Sequence, residues 1–304
     1  MASRRLKPKN DFIFQRLFGE PETKSSLISL LNAILGLTGN ERIADLTVME
    51  NKQLDKQFID DKSGRLDVRA ETADGVLIDI EIQLSNQRNM VRRTLFYASK
   101  LYAGSIKAGG KYENLKRTVA INIMDFKLFE FKRFHSSFRF YEDQEEPKYL
   151  LTDAMELHFI EYPKFAVTAK DLNDPLHRWL LFLDEKVPET QLKELINMDA
   201  DIQKTEERLA WLSSDEETLR LYEAREEALI EYNSRMSESR QEGLEQGIAE
   251  GRAEGIVEGR AEGKAEAKAE LACKMLEEGI GRDVILKLTG LTEKELEKLE
   301  KEKK

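Results

Sequence analysis

Apolar positions along the chain change their period several times, and each change marks an element. Phe14, Leu17, Phe18, Leu27, Leu30, Leu31 and Ile34 recur at helical spacing, so residues 10–36 are expected to be helical, capped by Asn10 or Asp11. Gly19-Glu20-Pro21 should split this helix in two, and Gly36 and Gly39 should close it. The period then falls to two. Ile43, Leu46 and Val48 predict a strand. Leu66, Val68 and Ala70 alternate with Asp67, Arg69 and Glu71. After the turn signal Ala73-Asp74-Gly75, Val76, Ile78, Ile80 and Ile82 alternate with Leu77, Asp79, Glu81 and Gln83, which predicts a hairpin. Residues 87–107 return to helix, with Met90, Val91, Leu95, Ala98, Leu101 and Tyr102 on one side. Val119, Ile121 and Ile123 lie in a largely apolar stretch, 118–126, as a buried central strand requires. A second hairpin is expected over 135–141 and 155–162, then an apolar helix over 176–183.

From residue 189 onward the pattern is helical. Leu195, Ile202 and Leu209 repeat at seven, as do Tyr222, Leu229 and Met236, which predicts a helical pair or a coiled coil. Ser214-Asp215-Glu216-Glu217 fits a capping box, so a new helix should start near 215. Gly243, Gly247, Gly251, Gly255, Gly259 and Gly263 then repeat every four residues, with a row of Glu and an interrupted row of Arg and Lys at the same period. The charged rows are offset by two residues, about 200° on a helix, so they cannot pair within it. Each glycine costs about 1 kcal/mol of helix propensity relative to alanine. Two readings stay open: the Gly row admits a second copy of the helix and makes a homo-oligomer, or the repeat is a tolerated low-complexity expansion. Residues 271–304 read as three short helices and loosely resemble a helix-turn-helix. Their Glu content favours a helical cap or a partner-docking unit.

Composition changes this picture in two ways. The net charge of -10 argues, taken whole, against a nucleic-acid binder. It is unevenly spread: residues 1–132 hold 22 Lys+Arg against 17 Asp+Glu, 133–190 hold 7 against 12, and 191–304 hold 19 against 29. A mildly basic head thus precedes an acidic tail. Cys273 is the only cysteine, so no intrachain disulfide is expected and a reducing, cytoplasmic setting is. No apolar run is long enough for a membrane span, and the basic start lacks the apolar region of a signal peptide.

The candidate chemistry lies on the first hairpin. Glu81 and Gln83 are two apart and share a sheet face, which Asp67 on the adjacent strand can reach. Two carboxylates converging on one spot suit a hard divalent cation. The plainer reading makes these residues, with Arg69, Glu71 and Asp79, the solvent face of a strand.

The α-β-β-β-α-β order, with Asp67 on one strand and Glu81-Ile82-Gln83 on the next, resembles the PD-(D/E)xK nuclease superfamily, with Gln83 in place of the final Lys. Four stretches resemble more specifically the Rpn family of recombination-promoting nucleases, also described as transposases. They are residues 9–19 (KNDFIFQRLFG), 65–67 (RLD), 80–83 (IEIQ) and 110–123 (GKYENLKRTVAINI). The resemblance covers roughly residues 7–185. It implies a restriction-endonuclease-like α/β (α+β) fold, a mixed sheet flanked by helices, with a long helical C-terminal tail. The chain then divides into a nuclease core (1–132), its hairpin and helix extension (133–188), a helical or coiled-coil segment (189–242), the Gly/Glu repeat (243–270) and a terminal unit (271–304).

The resemblance also implies roles. Asp67, Glu81 and the backbone carbonyl of Ile82 would bind Mg²⁺ or another divalent cation such as Mn²⁺ or Ca²⁺. Gln83 would orient the water or the scissile phosphate, Asp11 would support the metal site, and Lys62 would contact phosphate. A neutral Gln cannot supply positive charge or act as an acid, so more of the chemistry would fall to the metal. DNA would be tracked by Arg88, Arg92, Arg93 and Lys100, unless these only form the charged side of an amphipathic helix. His135, His158 and His177 are far apart in sequence and are expected to have no catalytic role. The implied function is a Mg²⁺-dependent DNA endonuclease acting in recombination or mobile-element biology. The alternative is a catalytically inactive nuclease-fold protein that binds DNA or assembles with itself.

Overall fold

The computed structural model describes residues 5–49, 68–86 and 89–302. The chain forms two compact units, Met1–Arg225 and Glu226–Lys304.

The first unit opens with α1 (Asp11–Phe18) and α2 (Lys24–Leu35). Asn10 caps α1, its side chain accepting from the backbone N–H of Phe12 and Ile13. A 3₁₀ turn over Pro21–Thr23 separates the two helices where Gly19-Glu20-Pro21 predicted a break. Gly36 ends α2 at φ 67°, a left-handed conformation that suits a residue without Cβ.

Six strands follow: β1 (Leu46–Val48), β2 (Val68–Thr72), β3 (Leu77–Gln83), β4 (Thr118–Met124), β5 (His135–Tyr141) and β6 (Leu150–Glu161). They form one mixed sheet of order β1-β2-β3-β4-β6-β5. The β1/β2, β2/β3 and β5/β6 pairs are antiparallel; β3/β4 and β4/β6 are parallel. Helix α3 (Met90–Ala103) is the crossover between β3 and β4. Every residue of β4 is buried, as a strand with both faces covered requires.

The two faces of the sheet have different covers. Val68, Ala70, Ile78, Ile80, Val119, Ile121 and Ile123 join the main core with α1 and α2. That core also takes Trp179 and Phe182 of α5 (Pro175–Phe182). On the other face Ala120, Met124, Leu157 and Phe159 pack with Met90 and Ala98 of α3. A short α4 (Tyr162–Ala166) follows β6.

Helices α6 (Glu189–Met198) and α7 (Ala200–Leu212) carry the first heptad set. Leu195, Ile202 and Leu209 are fully buried in the main core. Their spacing therefore docks two helices onto the sheet's own helical layer. Helix α8 (Glu216–Glu277) starts where expected, but Asp215 caps it, accepting from the N–H and hydroxyl of Thr218, in place of the Ser214/Glu217 box. Its first turns belong to the first unit and the rest to the second.

In the second unit the six period-four glycines are helical and exposed, and beyond the helix's own adjacent backbone a Cβ at any of them would meet nothing within 4 Å. The segment expected as a separate helix at 271–278 is the end of α8. It packs Ala272 and Met275 against Ile285 of α9 (Arg282–Thr289) and Leu296 of α10 (Glu293–Glu302). Among the described residues no helix is long and apolar enough to cross a membrane.

Candidate active site

Strand β3 sends its even residues into the main core, so its odd residues, Asp79, Glu81 and Gln83, face α3. They are not a solvent face: Glu81 and Gln83 are each only 6% exposed and Asp79 8%. Period-two alternation cannot distinguish a face in water from one under a helix.

Glu81 Oε1 accepts from Gln83 Nε2 at 3.0 Å and from an Arg93 guanidinium nitrogen at 2.8 Å. The same Gln83 nitrogen donates to the carbonyl of Ile82 at 3.2 Å. A buried carboxylate oxygen and a backbone carbonyl therefore converge on one donor. Hard oxygens turned toward one positively polarised group form a donor set that suits a divalent cation. Two residues before Glu81, Asp79 accepts from Arg69 Nε at 2.7 Å. These two sit directly opposite each other on β2 and β3, and both side chains are about nine-tenths buried. On the other side, Glu81 is in register with Asn122 of β4, whose side-chain oxygen accepts from Thr94 Oγ of α3.

Asp67, Lys62 and Arg88 lie outside the described residues. Val68, next to Asp67 in sequence, pairs with Ile80, next to Glu81. Among the described residues no three His, Cys, Asp or Glu side chains cluster to hold a metal. Asp11 is committed to a neighbour: both its carboxylate oxygens accept from Arg225 of α8. The four cations expected along DNA do not share one environment. Arg92 is exposed, Lys100 lies over the ring of Phe96 at 5.6 Å, and Arg93 turns inward to Glu81. Sequence reasoning missed Arg93 as the partner of Glu81, because only the tertiary seat of α3 on β3 brings them together.

It also missed a polar cluster on β5 and β6. His135 and His158, 23 residues apart, are brought within 2.9 Å by the hairpin register. His158 Nε2 lies 3.0 Å from Glu156, which also accepts from Arg117 and Arg139. Burial pushes the His135 imidazole down to about 4, helped by the neighbouring His158. Burial alone would raise the Glu156 carboxyl, but the bonds from His158, Arg139 and Arg117 outweigh it and bring it down to about 2.

Comparison with known families completes the description. Residues 8–239 match the PD-(D/E)XK nuclease family transposase, and residues 265–301 match the C-terminal HTH domain of the Rpn/YhgA-like nuclease family. No curated protein and no solved structure is significantly similar to the chain. The second match replaces the expectation of a helical cap or docking unit: the end of α8 with α9 and α10, turning at Gly290 (φ 66°), is a helix-turn-helix. The first spans about three quarters of the sequence and agrees with the mixed sheet, so the chain belongs to the Rpn-type transposases of the PD-(D/E)XK nuclease superfamily.

Proposed function

We propose that the chain is a metal-dependent DNA endonuclease, hydrolysing phosphodiester bonds in DNA recombination or mobile-element biology. One observation carries this reading: Glu81 and the Ile82 carbonyl converge on a single donor beneath α3. Asp67, Glu81 and the Ile82 carbonyl would hold Mg²⁺, or another divalent cation such as Mn²⁺ or Ca²⁺. Such an ion, when bound, lowers the pKa of a water and stabilises charge on the phosphate.

The remaining work belongs to the chain. Gln83 holds the Glu81 carboxylate and the Ile82 carbonyl with its amide; were an ion to take those two oxygens, that amide would be released to donate to a water or phosphate oxygen, and it moves no proton. Arg93 balances the charge of Glu81 in a nearly dry setting. Asp11 supports the region through Arg225. Lys62, Arg88, Arg92 and Lys100 would contact phosphates, and the helix-turn-helix would add duplex contacts. The C-terminal helices would join copies of the chain into a homo-oligomer through the exposed Gly row.

Plasmid cleavage with Mg²⁺ tests the reading on wild type, Asp67→Ala and Glu81→Ala. Cleavage should be lost in both variants. Equal residual activity in all three would assign the cleavage to a contaminant and refute it. The inactive, DNA-binding alternative is favoured by one contact, the Arg93 guanidinium already neutralising Glu81. On that reading wild type binds DNA but leaves it intact with Mg²⁺, Mn²⁺ or Ca²⁺.

A further inference from the structure

Helix α3 has two working sides. One delivers Arg93 to Glu81. The other carries Arg92, Leu95, Phe96 and Lys100 along an open groove. Leu95 also lines a second, adjoining groove, whose far wall is Phe138, Arg139 and Phe140 on β5. Leu95 lines both grooves, so they adjoin along the side of α3 turned away from Glu81.

The make-up of this surface is specific. Phe96, in one groove, is 60% exposed, and Phe138 and Phe140, in the other, are 40% and 47% exposed, so each groove offers aromatic surface to solvent. Its charged lining residues are Arg92, Lys100 and Arg139, and no carboxylate lines either groove. That is unusual in a chain of net charge -10. Arg139, 40% exposed at its side chain, shares the buried Glu156 with Arg117.

Flat apolar rings alternating with cations match a polyanion that has exposed flat faces of its own. Bases inside a duplex are already stacked and offer no such faces. The geometry points to unpaired nucleotides as the occupant: this groove binds single-stranded DNA, with bases on Phe96, Phe138 and Phe140 and phosphates on Arg92, Lys100 and Arg139. The inference rests on the nuclease reading for its consequence, that the substrate to be cut includes an unpaired strand.

The test is fluorescence anisotropy with full-length protein and labelled oligo(dT), against a duplex of equal length. Phe96→Ala and Phe140→Ala should each weaken single-strand binding about tenfold or more and leave duplex binding unchanged. Phe96→Tyr and Phe140→Trp, which keep an aromatic face, should bind like wild type. The rings are exposed, so thermal midpoints should not move. No loss, or equal loss on both DNAs, overturns the proposal. So does a change of oligomeric mass in the alanine variants, which would make the groove an interface between copies. The two readings fail separately. Single-strand binding without Mg²⁺-dependent plasmid cleavage sinks the nuclease reading alone. Cleavage and DNA binding that are indifferent to both rings sink the groove alone.

Discussion

Arg93 of α3 donates to Glu81 of β3 at 2.8 Å, with side chains only 12% and 7% exposed. Such a pair adds little over a well-packed apolar pair, but removing one member of a buried pair costs roughly 3–5 kcal/mol. Arg93→Ala should therefore destabilise the first unit by about that much. It should also remove one positive charge from beside Glu81, so Mg²⁺ should raise the melting temperature more in Arg93→Ala than in wild type. Glu81→Ala/Arg93→Ala should show no such shift. Differential scanning fluorimetry with and without Mg²⁺ checks all three proteins. A Mg²⁺ response in the double variant would place the ion elsewhere.

Acid should weaken the fold in two steps. The His135 imidazole is held near 4, below its unfolded value of 6.5, so the unfolded chain takes up the proton first. Stability is full above about 6.5 and is lost as pH falls toward 4, by about 3 kcal/mol at most. Glu156 is depressed from 4.5 to about 2, so its contribution is present above 4.5 and fades below that. Urea titrations between pH 8 and 4 should show the first loss in wild type and much less of it in His135→Gln.

The Gly row of α8 can be tested by filling it. Beyond the helix's own adjacent backbone, nothing stands within 4 Å of a Cβ at Gly251 or Gly255. Gly251→Ala/Gly255→Ala should then raise helicity, since each change favours the helix by about 1 kcal/mol. If copies of the chain meet through this row, the same methyl groups should split them. Circular dichroism reads the first effect and light scattering the second; an unchanged oligomer would remove the Gly row from the interface.

Trimming the chain should show where the nuclease unit ends. Leu195, Ile202, Leu209 and Leu212 are all fully buried in the main core. Burying each is worth about 1.5–3 kcal/mol, so losing four costs as much as a typical domain's whole stability. A fragment ending at 188 should be insoluble or molten, and one ending at 239 should melt cooperatively. A cooperative transition in the shorter fragment would make α6 and α7 dispensable.

Much of the sheet is legible in the sequence because its strands are short and alternate cleanly. The Gly75 turn, the all-buried β4 and the His135–Tyr141 strand follow from local pattern alone. The site is less legible. Asp79 and Arg69 read as a solvent face because alternation reports two faces but not their covers. Arg93 looks like a phosphate contact because helical spacing cannot show which neighbour a side chain meets. The His135–His158 contact depends on hairpin register, and β6 begins at Leu150, five residues before its apolar alternation becomes clear. The heptads of α6 and α7 match a supercoil as well as they match docking onto a core.

The two ends of the first unit hold each other. Arg5 pairs with Glu206 of α7 and donates to the Phe182 carbonyl, while the Leu6 N–H donates to Ser213. Tyr222 of α8 seats in the same core as Leu6. On a ribosome, the strands that carry Glu81 and Gln83 emerge long before these closing residues. The growing chain therefore cannot complete this unit until Tyr222 has been made. If the chain cuts DNA as proposed, it would pass most of its synthesis without a finished cutting surface, and products truncated before Tyr222 would be poor nucleases by construction.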